Sequence, residues 1–252
     1  MSGMLSHKDI IDAITSREIA IAPFSPKSED ERLTPAGFNF SFTNFVISLN
    51  KKELYPLHEN EYGEIYFELE KGDSALALTR ETIWVSGKYA GTFHSKVGFA
   101  AKGLGQISTT LDPGWKGQLL ISINNPNAND VKVVIGQRIN DIICYKTFIT
   151  LCLYELKTPA TKRSDNTSGR LEIILGILQE DYEKNSRLIK QVTGLMQKER
   201  ELTTKYGLVF DLDPPKQDTY EHFVEAHNEI LAMLEKIAPK IKKDSTKTEV
   251  VN

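Results

Sequence analysis

The sequence predicts a mainly β fold, a barrel or sandwich of short strands, followed by a C-terminal α-helical hairpin. Three observations carry this. From Phe38 to about Leu156, runs rich in Val, Ile, Phe and Tyr are punctuated at short intervals by Gly, Pro, Asn and Asp. Within them the side chains alternate with a period of two, as in Phe38, Phe40 and Phe42 against Asn39, Ser41 and Thr43. Beyond Lys157 the apolar period becomes helical, with steps of four and three.

The elements follow in order. A short helix opens the chain, capped by Ser6 with Asp9 as its capping-box partner and Ile10, Ile11 and Ile14 as its apolar face. Ile19–Ile21 reads as a strand stopped by Pro23 and Pro26, and the charged Ser28–Arg32 run as a loop. Strands are predicted at Phe38–Thr43, Val46–Leu49, Ile65–Leu69, Ala75–Leu78, Trp84–Val85, Leu119–Ile123, Val131–Ile135, Ile142–Tyr145 and Phe148–Tyr154. Residues 158–169 are polar and basic and read as a linker. In the helical extension, 170–243, one seam runs through Leu171, Leu175, Leu178, Tyr182, Asn185, Ile189, Val192 and Met196. Asn185 sits on that seam, where a polar residue can fix register or oligomer state. Asp213-Pro214-Pro215 ends the helix. Asp218 and Glu221 suggest a capping box for the next, whose face is Phe223, His227, Ile230, Leu234, Ile237 and Ile241. The tail either pairs with itself or recruits a partner protein or further copies. Residues 244–252 are expected to be disordered.

The chain has 252 residues, 40% hydrophobic and 26% charged, enough for a domain of ~150 residues, here 1–157, plus an appendage. A formal net charge of -3 without a basic stripe argues against a nucleic-acid surface. No run reaches the ~20 apolar residues of a membrane span, and no secretory leader is evident. Cys144 and Cys152 lie in apolar strand-like sequence and read as buried thiols, so a cytoplasmic, reduced setting is expected.

Three further stretches resemble one family. Leu111-Asp-Pro-Gly-Trp-Lys-Gly117 is similar to the dCTP deaminase signature I-D-P-G-W-x-G. Ser95-Lys-Val-Gly-Phe-Ala-Ala-Lys-Gly-Leu104 resembles the trimeric dUTPase stretch P-R-S-G-L-A-x-K-x-G-L, one residue shorter. Gly136-Gln-Arg-Ile-Asn-Asp-Ile-Ile143 resembles the element G-x-R-I-x-Q-L-I. The opening, Leu5–Ile10, Ile19–Phe24 and Pro35–Asn39, resembles that of dCTP deaminases in order and spacing, so the likeness covers roughly residues 4–156.

The resemblance implies a dUTPase-like distorted jelly-roll or β-barrel, a homotrimer with nucleotide sites between subunits, and a deoxynucleoside triphosphate carrying Mg²⁺ on its phosphates. It implies that Asp112 positions and deprotonates the attacking water, a role suited to a carboxylate at a strand end. Asp-Pro-Gly is also strong turn chemistry in its own right. Trp115 falls where an aromatic face lies against the deoxyribose, and Lys96 and Gly98 fall in the phosphate-side stretch. Gln106 and Ile107 fall at the hairpin whose backbone reads the base. His94, Lys102 and Arg138 read as surface or structural residues.

Departures from the pattern bear on the reaction. The deaminase strand carries a catalytic Glu in G-x-x-x-L-E, and Ser122 stands there in Gly117-Gln-Leu-Leu-Ile-Ser-Ile-Asn124. Ser has no useful basicity near neutral pH. Val97 replaces a phosphate-binding Ser, Asp141 a phosphate-side Gln, and Asn39 the Asp of A-G-Y-D. Hydrolysis of a dUTP-like nucleotide is therefore expected more than deamination. The alternative is a catalytically inactive nucleotide-binding or scaffold paralogue acting through its tail.

Overall fold

The computed structural model describes residues 3–24, 31–107, 110–162, 169–208, 213 and 217–244, with the backbone alone for Gln106, Ile107 and Gln217. Helix α1 (His7–Thr15) starts on the predicted capping box. The Ser6 N–H and hydroxyl donate to the Asp9 carboxylate at 2.9 and 2.7 Å, and Ser6 Oγ accepts from the Asp9 N–H. Strands β1 (Ile19–Ala22), β2 (Leu33–Thr34), β3 (Gly37–Ser48), β4 (Glu53–Leu54), β5 (His58–Glu59), β6 (Glu64–Leu69), β7 (Ser74–Val85) and β8 (Tyr89–Ser95) follow. A single helical turn, α2 (Val97–Ala100), leads to β9 (Gly105–Ile107), β10 (Thr110–Leu111), β11 (Lys116–Asn124), β12 (Val131–Ile139), β13 (Ile142–Tyr145) and β14 (Thr147–Glu155). The tail holds α3 (Gly169–Gln179), α4 (Tyr182–Lys205), α5 (Gln217–Ile237) and a short β15 (Lys242–Lys243).

The fold is mainly β, as predicted. One sheet runs β10-β8-β14-β3-β7-β11-β9, with β1 also on β7 and β2 and β4 on β3. The second runs β13-β12-β6-β5-β15. All pairings are antiparallel except β15 with β5. The two sheets close on one core in which Phe38, Phe40 and Phe42 meet Ile65, Phe67, Leu69, Val133 and Ile135. In β6 the period of two is clean, with Ile65, Phe67 and Leu69 inside and Glu64, Tyr66 and Glu68 turned outward.

Elsewhere burial departs from simple alternation. Asn39, Ser41 and Thr43 were the expected outward set of β3, yet all three are buried. They survive there because each is hydrogen-bonded: Asn39 Oδ1 accepts from Thr150, Ser41 meets the buried Glu81 carboxylate, and Thr43 donates to the Leu78 carbonyl. Predicted strands 75–78 and 84–85 are one strand, β7. Its polar middle reads as a break but is satisfied within the sheet, with Thr79 Oγ1 donating to the Glu81 carbonyl and accepting from the Leu119 N–H. Against expectation, Cys144 is exposed, because β13 is a sheet edge with one face open, and Cys152 on β14 is half-buried.

The helical tail accounts for the doubly buried strands. A second core joins Phe45, Ile47, Leu78 and Trp84 of the sheet to Leu171, Ile174 and Leu178 of α3, to Val192 and Leu195 of α4, and to Phe223 and Leu234 of α5. The hairpin is thus three helices laid against the β domain, and most of its predicted seam is spent inside the chain, with Tyr182 left exposed. The seam also breaks, between α3 and α4. Asn185 bridges that break by donating to the Lys52 carbonyl at 2.7 Å and the Leu178 carbonyl at 3.2 Å. It ties a helix end to the sheet instead of setting the register of a coiled coil. Asn185→Ala removes both bonds, leaving the part-buried Lys52 carbonyl without this donor while the Leu178 carbonyl keeps the Asp181 N–H at 3.3 Å, and is expected to cost about 1–3 kcal/mol, read as a lower urea midpoint with an unchanged slope.

Other tail features were not foreseen. α5 starts at Gln217, so Asp218 lies inside its first turn, where its charge favours the helix dipole without capping. After α5 the chain returns to the second sheet: the Lys242 N–H donates to the Leu57 carbonyl, and Tyr66 Oη to Asp244. The expected loop at 28–30 and tail at 245–252 lie outside the described residues, as do 163–168 of the linker.

Burial, helped by Arg80 and Arg32, pushes the α5 His227 imidazole down to about 4 from its ordinary 6.5. Below 6.5 the unfolded chain takes up a proton that the folded chain refuses until about 4. Stability from this group is therefore full above that window and falls across it by about 3 kcal/mol as pH drops. His227→Gln is expected to flatten that part of the urea-midpoint profile relative to the parent chain.

Candidate active site

Asp112 stands where β10 leaves β8 and turns into β11. The turn is of the type Pro and Gly dictate: Pro113 and Gly114 occupy its centre, Gly114 has φ 73, and the Trp115 N–H closes on the Asp112 carbonyl at 3.1 Å. The Gly114 N–H is held by the Val85 carbonyl at 3.0 Å. The turn therefore uses the Asp112 backbone and leaves its carboxylate exposed, with the Thr110 hydroxyl donating at 3.2 Å. The side chain is therefore not needed to close the turn.

Trp115 is half-buried against the main core. Its indole N–H is enclosed and has no acceptor among the described residues. Asp112 and Trp115 line a cavity of about 460 Å³ together with Phe93, Leu119 and Leu120. The first turns of α3 complete it through Gly169, Arg170 and Ile173. Nothing in the sequence signals these α3 residues, because they lie beyond the linker and outside every motif. Arg170 is buried and ion-paired with Glu199.

The other predicted residues lie elsewhere. Lys96 caps α2 and its Nζ donates to Thr147 Oγ1 at 3.2 Å, while Gly98 and Val97 are exposed on the same turn. The backbone of β9, which carries Gln106 and Ile107, pairs with the far end of β11, Ile107 opposite Ser122 and Gln106 opposite Ile123. Phe99, Gly105 and Ile123 line one small cavity, which places β9, α2 and this end of β11 together. Because Leu111 pairs with Gly91, Lys96 lies five residues further along the chain. That is roughly 16 Å of strand. Ser122 is seven residues past Trp115, roughly 20 Å along a bulged strand. Within the chain these residues thus fall into two separate groups: Asp112 with Trp115 at one end, and Lys96, Gly98, β9 and Ser122 at the other.

Asp141 sits at the exposed tip of the β12–β13 hairpin and does not line the Asp112 cavity. Asn39 is committed to Thr150. Arg138 pairs with Glu59 at 3.0 Å, and His94 contacts Thr92 at the surface. Among the described residues no three His, Cys, Asp or Glu side chains gather to hold a metal. Asp112 alone makes no Mg²⁺ site, so the divalent ion expected with the nucleotide has no protein cage here and no step is assigned to it. No helix among the described residues is long and apolar enough to cross a membrane.

Several known proteins are similar to this chain. A family model described as dCTP deaminase-like matches residues 4–147. The dUMP-forming dCTP deaminase of Methanopyrus kandleri is 25% identical over 185 residues, covering 66% of this chain and 89% of the relative. The dUMP-forming enzyme of Parafrankia sp. is 28% identical over 167 residues, covering 62% and 78%. Among solved structures, the 2'-deoxycytidine 5'-triphosphate deaminase of Agrobacterium tumefaciens superposes with a TM-score of 0.45 at 10% identity, over 61% of this chain and about half, 49%, of that one. The family match spans well over half of the sequence and contains the Asp112 turn, Lys96 and Ser122, and the chain belongs to the dCTP deaminase-like family.

Proposed function

We propose that the chain hydrolyses a pyrimidine deoxynucleoside triphosphate, dUTP in type, between its α and β phosphates, at sites assembled between copies of a homotrimer. The carrying observation is the contrast between two positions. Asp112 keeps an exposed carboxylate on a turn closed by backbone groups, beside an open cavity lined by Phe93 and Trp115. Ser122, opposite the β9 backbone, offers no base where deamination needs one.

The relatives' names describe conversion of dCTP to dUMP, which removes both the C4 amino group and two phosphates. Asp112, Trp115 and Lys96 suit the second half. In the proposed step the Asp112 carboxylate takes a proton from water as the oxygen attacks the α-phosphorus. The bond from that phosphorus to the bridging oxygen breaks, and dUMP and pyrophosphate leave. Trp115 lies against the deoxyribose, where a 2'-hydroxyl does not fit. Lys96 supplies a point charge to the phosphates, without the fork of an Arg and without help from Val97.

The two-ended arrangement within one copy supports an inter-copy site, since Lys96 stands far from Asp112 and the cation beside Asp112, Arg170, is paired with Glu199. Pyrophosphate release from dUTP in the presence of Mg²⁺, lost in Asp112→Asn, tests this. Undiminished release by that variant would sink the role given to Asp112, and ammonia from dCTP would restore deamination.

A further inference from the structure

A second cavity, of about 220 Å³, lies between the helical tail and the β domain. Its apolar wall is Met196, Leu202, Phe223 and Ile230, from α4 and α5. Its polar wall is Lys116 and Thr82 from the sheet, Arg170, Glu199 and Arg200 from the helices, and His227. The cationic side chains outnumber the carboxylates three to one. Lys116 is fixed by donating to the Leu208 carbonyl at 2.9 Å and to Thr203 Oγ1 at 3.3 Å, and Arg170 by Glu199. The cations are thus held in place by the protein.

His227 is only 4% exposed, and its Nδ1 lies 2.9 Å from Thr82 Oγ1. Its Nε2 is buried and has no hydrogen-bond partner among the described residues. An orphaned ring nitrogen in a cavity wall is costly unless something entering the cavity satisfies it. The tautomer in which the Thr82 hydroxyl donates to Nδ1 carries the ring proton on Nε2 and offers it as a donor.

We propose that this cavity is a ligand site separate from the Asp112 cavity, built for a small organic anion. The ligand has a one-ring body seated on Met196, Leu202, Phe223 and Ile230, and a carboxylate or phosphate directed to Lys116, Arg170 and His227 Nε2. The size fits: a dry cavity of about 150 Å³ holds benzene, so this one has room for a ring and one compact charged group. It is too small for a nucleoside triphosphate. Arg170 lines both cavities, so a bound anion touches a side chain that also faces Asp112 and Trp115.

The test is calorimetric titration of the full chain with phenyl phosphate, phenylacetate and benzyl alcohol. At least one anion is expected to bind about tenfold or more tighter than the neutral alcohol. The stronger of the two anions identifies the charged group. Ala226→Phe fills the cavity from α5 without touching the Asp112 cavity and is expected to abolish binding. Arg200→Gln, at a mostly exposed side chain that leaves folding intact, is expected to weaken anion binding severalfold and leave the alcohol unaffected. Binding of neither anion at millimolar concentration, equal binding of the alcohol, or anion binding unchanged in both variants overturns the proposal.

Discussion

Ending the chain at residue 162 is expected to leave a β domain that does not unfold cooperatively and that self-associates. The cut removes α3, α4 and α5 and uncovers Phe45, Ile47, Leu78 and Trp84, each no more than 1% exposed in the full chain. Burial of each such side chain contributes about 1.5–3 kcal/mol, so together they rival the 5–15 kcal/mol that typically holds a domain folded. The uncovered face is also a contiguous apolar patch, which favours association. Urea unfolding followed by near-ultraviolet circular dichroism, with sedimentation at several concentrations, checks this. A truncated chain that stays soluble and unfolds with an unchanged midpoint would show that the tail is a dispensable appendage.

Asp112→Asn is expected to lower dUTP turnover by about 10²–10⁴-fold, the usual worth of a positioned general base. Its stability should change by no more than about 0.5 kcal/mol, because the turn is closed by backbone groups and by Pro113 and Gly114. Lys96→Ala should act mainly on KM, since Lys96 sits at the other half-site. With dUTP well below KM, refolding equal amounts of the two variants together should recover about one quarter of the parent rate, because a site then needs an intact Asp112 from one copy and an intact Lys96 from another. Recovery of nothing, with mixed assemblies verified, would place the site within one copy and contradict the inter-copy arrangement.

The strands were legible where one face meets the core and the other meets water, as in β6. In β3 and β7 alternation misled, because helices far along the chain cover the second face, and local period carries no trace of a distant cover. β8 went unread because Gly91, Thr92 and His94 dilute its apolar pattern. The steps of four and three run unbroken across the α3–α4 junction, so the period hid the bend that Asn185 stitches. At the site, Asp112 was legible from turn chemistry and family likeness. The separation of Lys96 from Asp112 was not, since it depends on which strands are neighbours. Arg170 enters the cavity from beyond the linker and had no local signal at all.

The most direct measurement is the product count from dUTP and from dCTP, each with Mg²⁺, scoring pyrophosphate and ammonia in the same reactions. Ser122 facing the β9 backbone and Asp112 on its turn predict pyrophosphate from dUTP, dependent on Asp112, and no ammonia from dCTP above the no-protein control. Ammonia released from dCTP in step with nucleotide consumption would contradict the assignment, because it would require a deaminating base that Ser122 cannot supply.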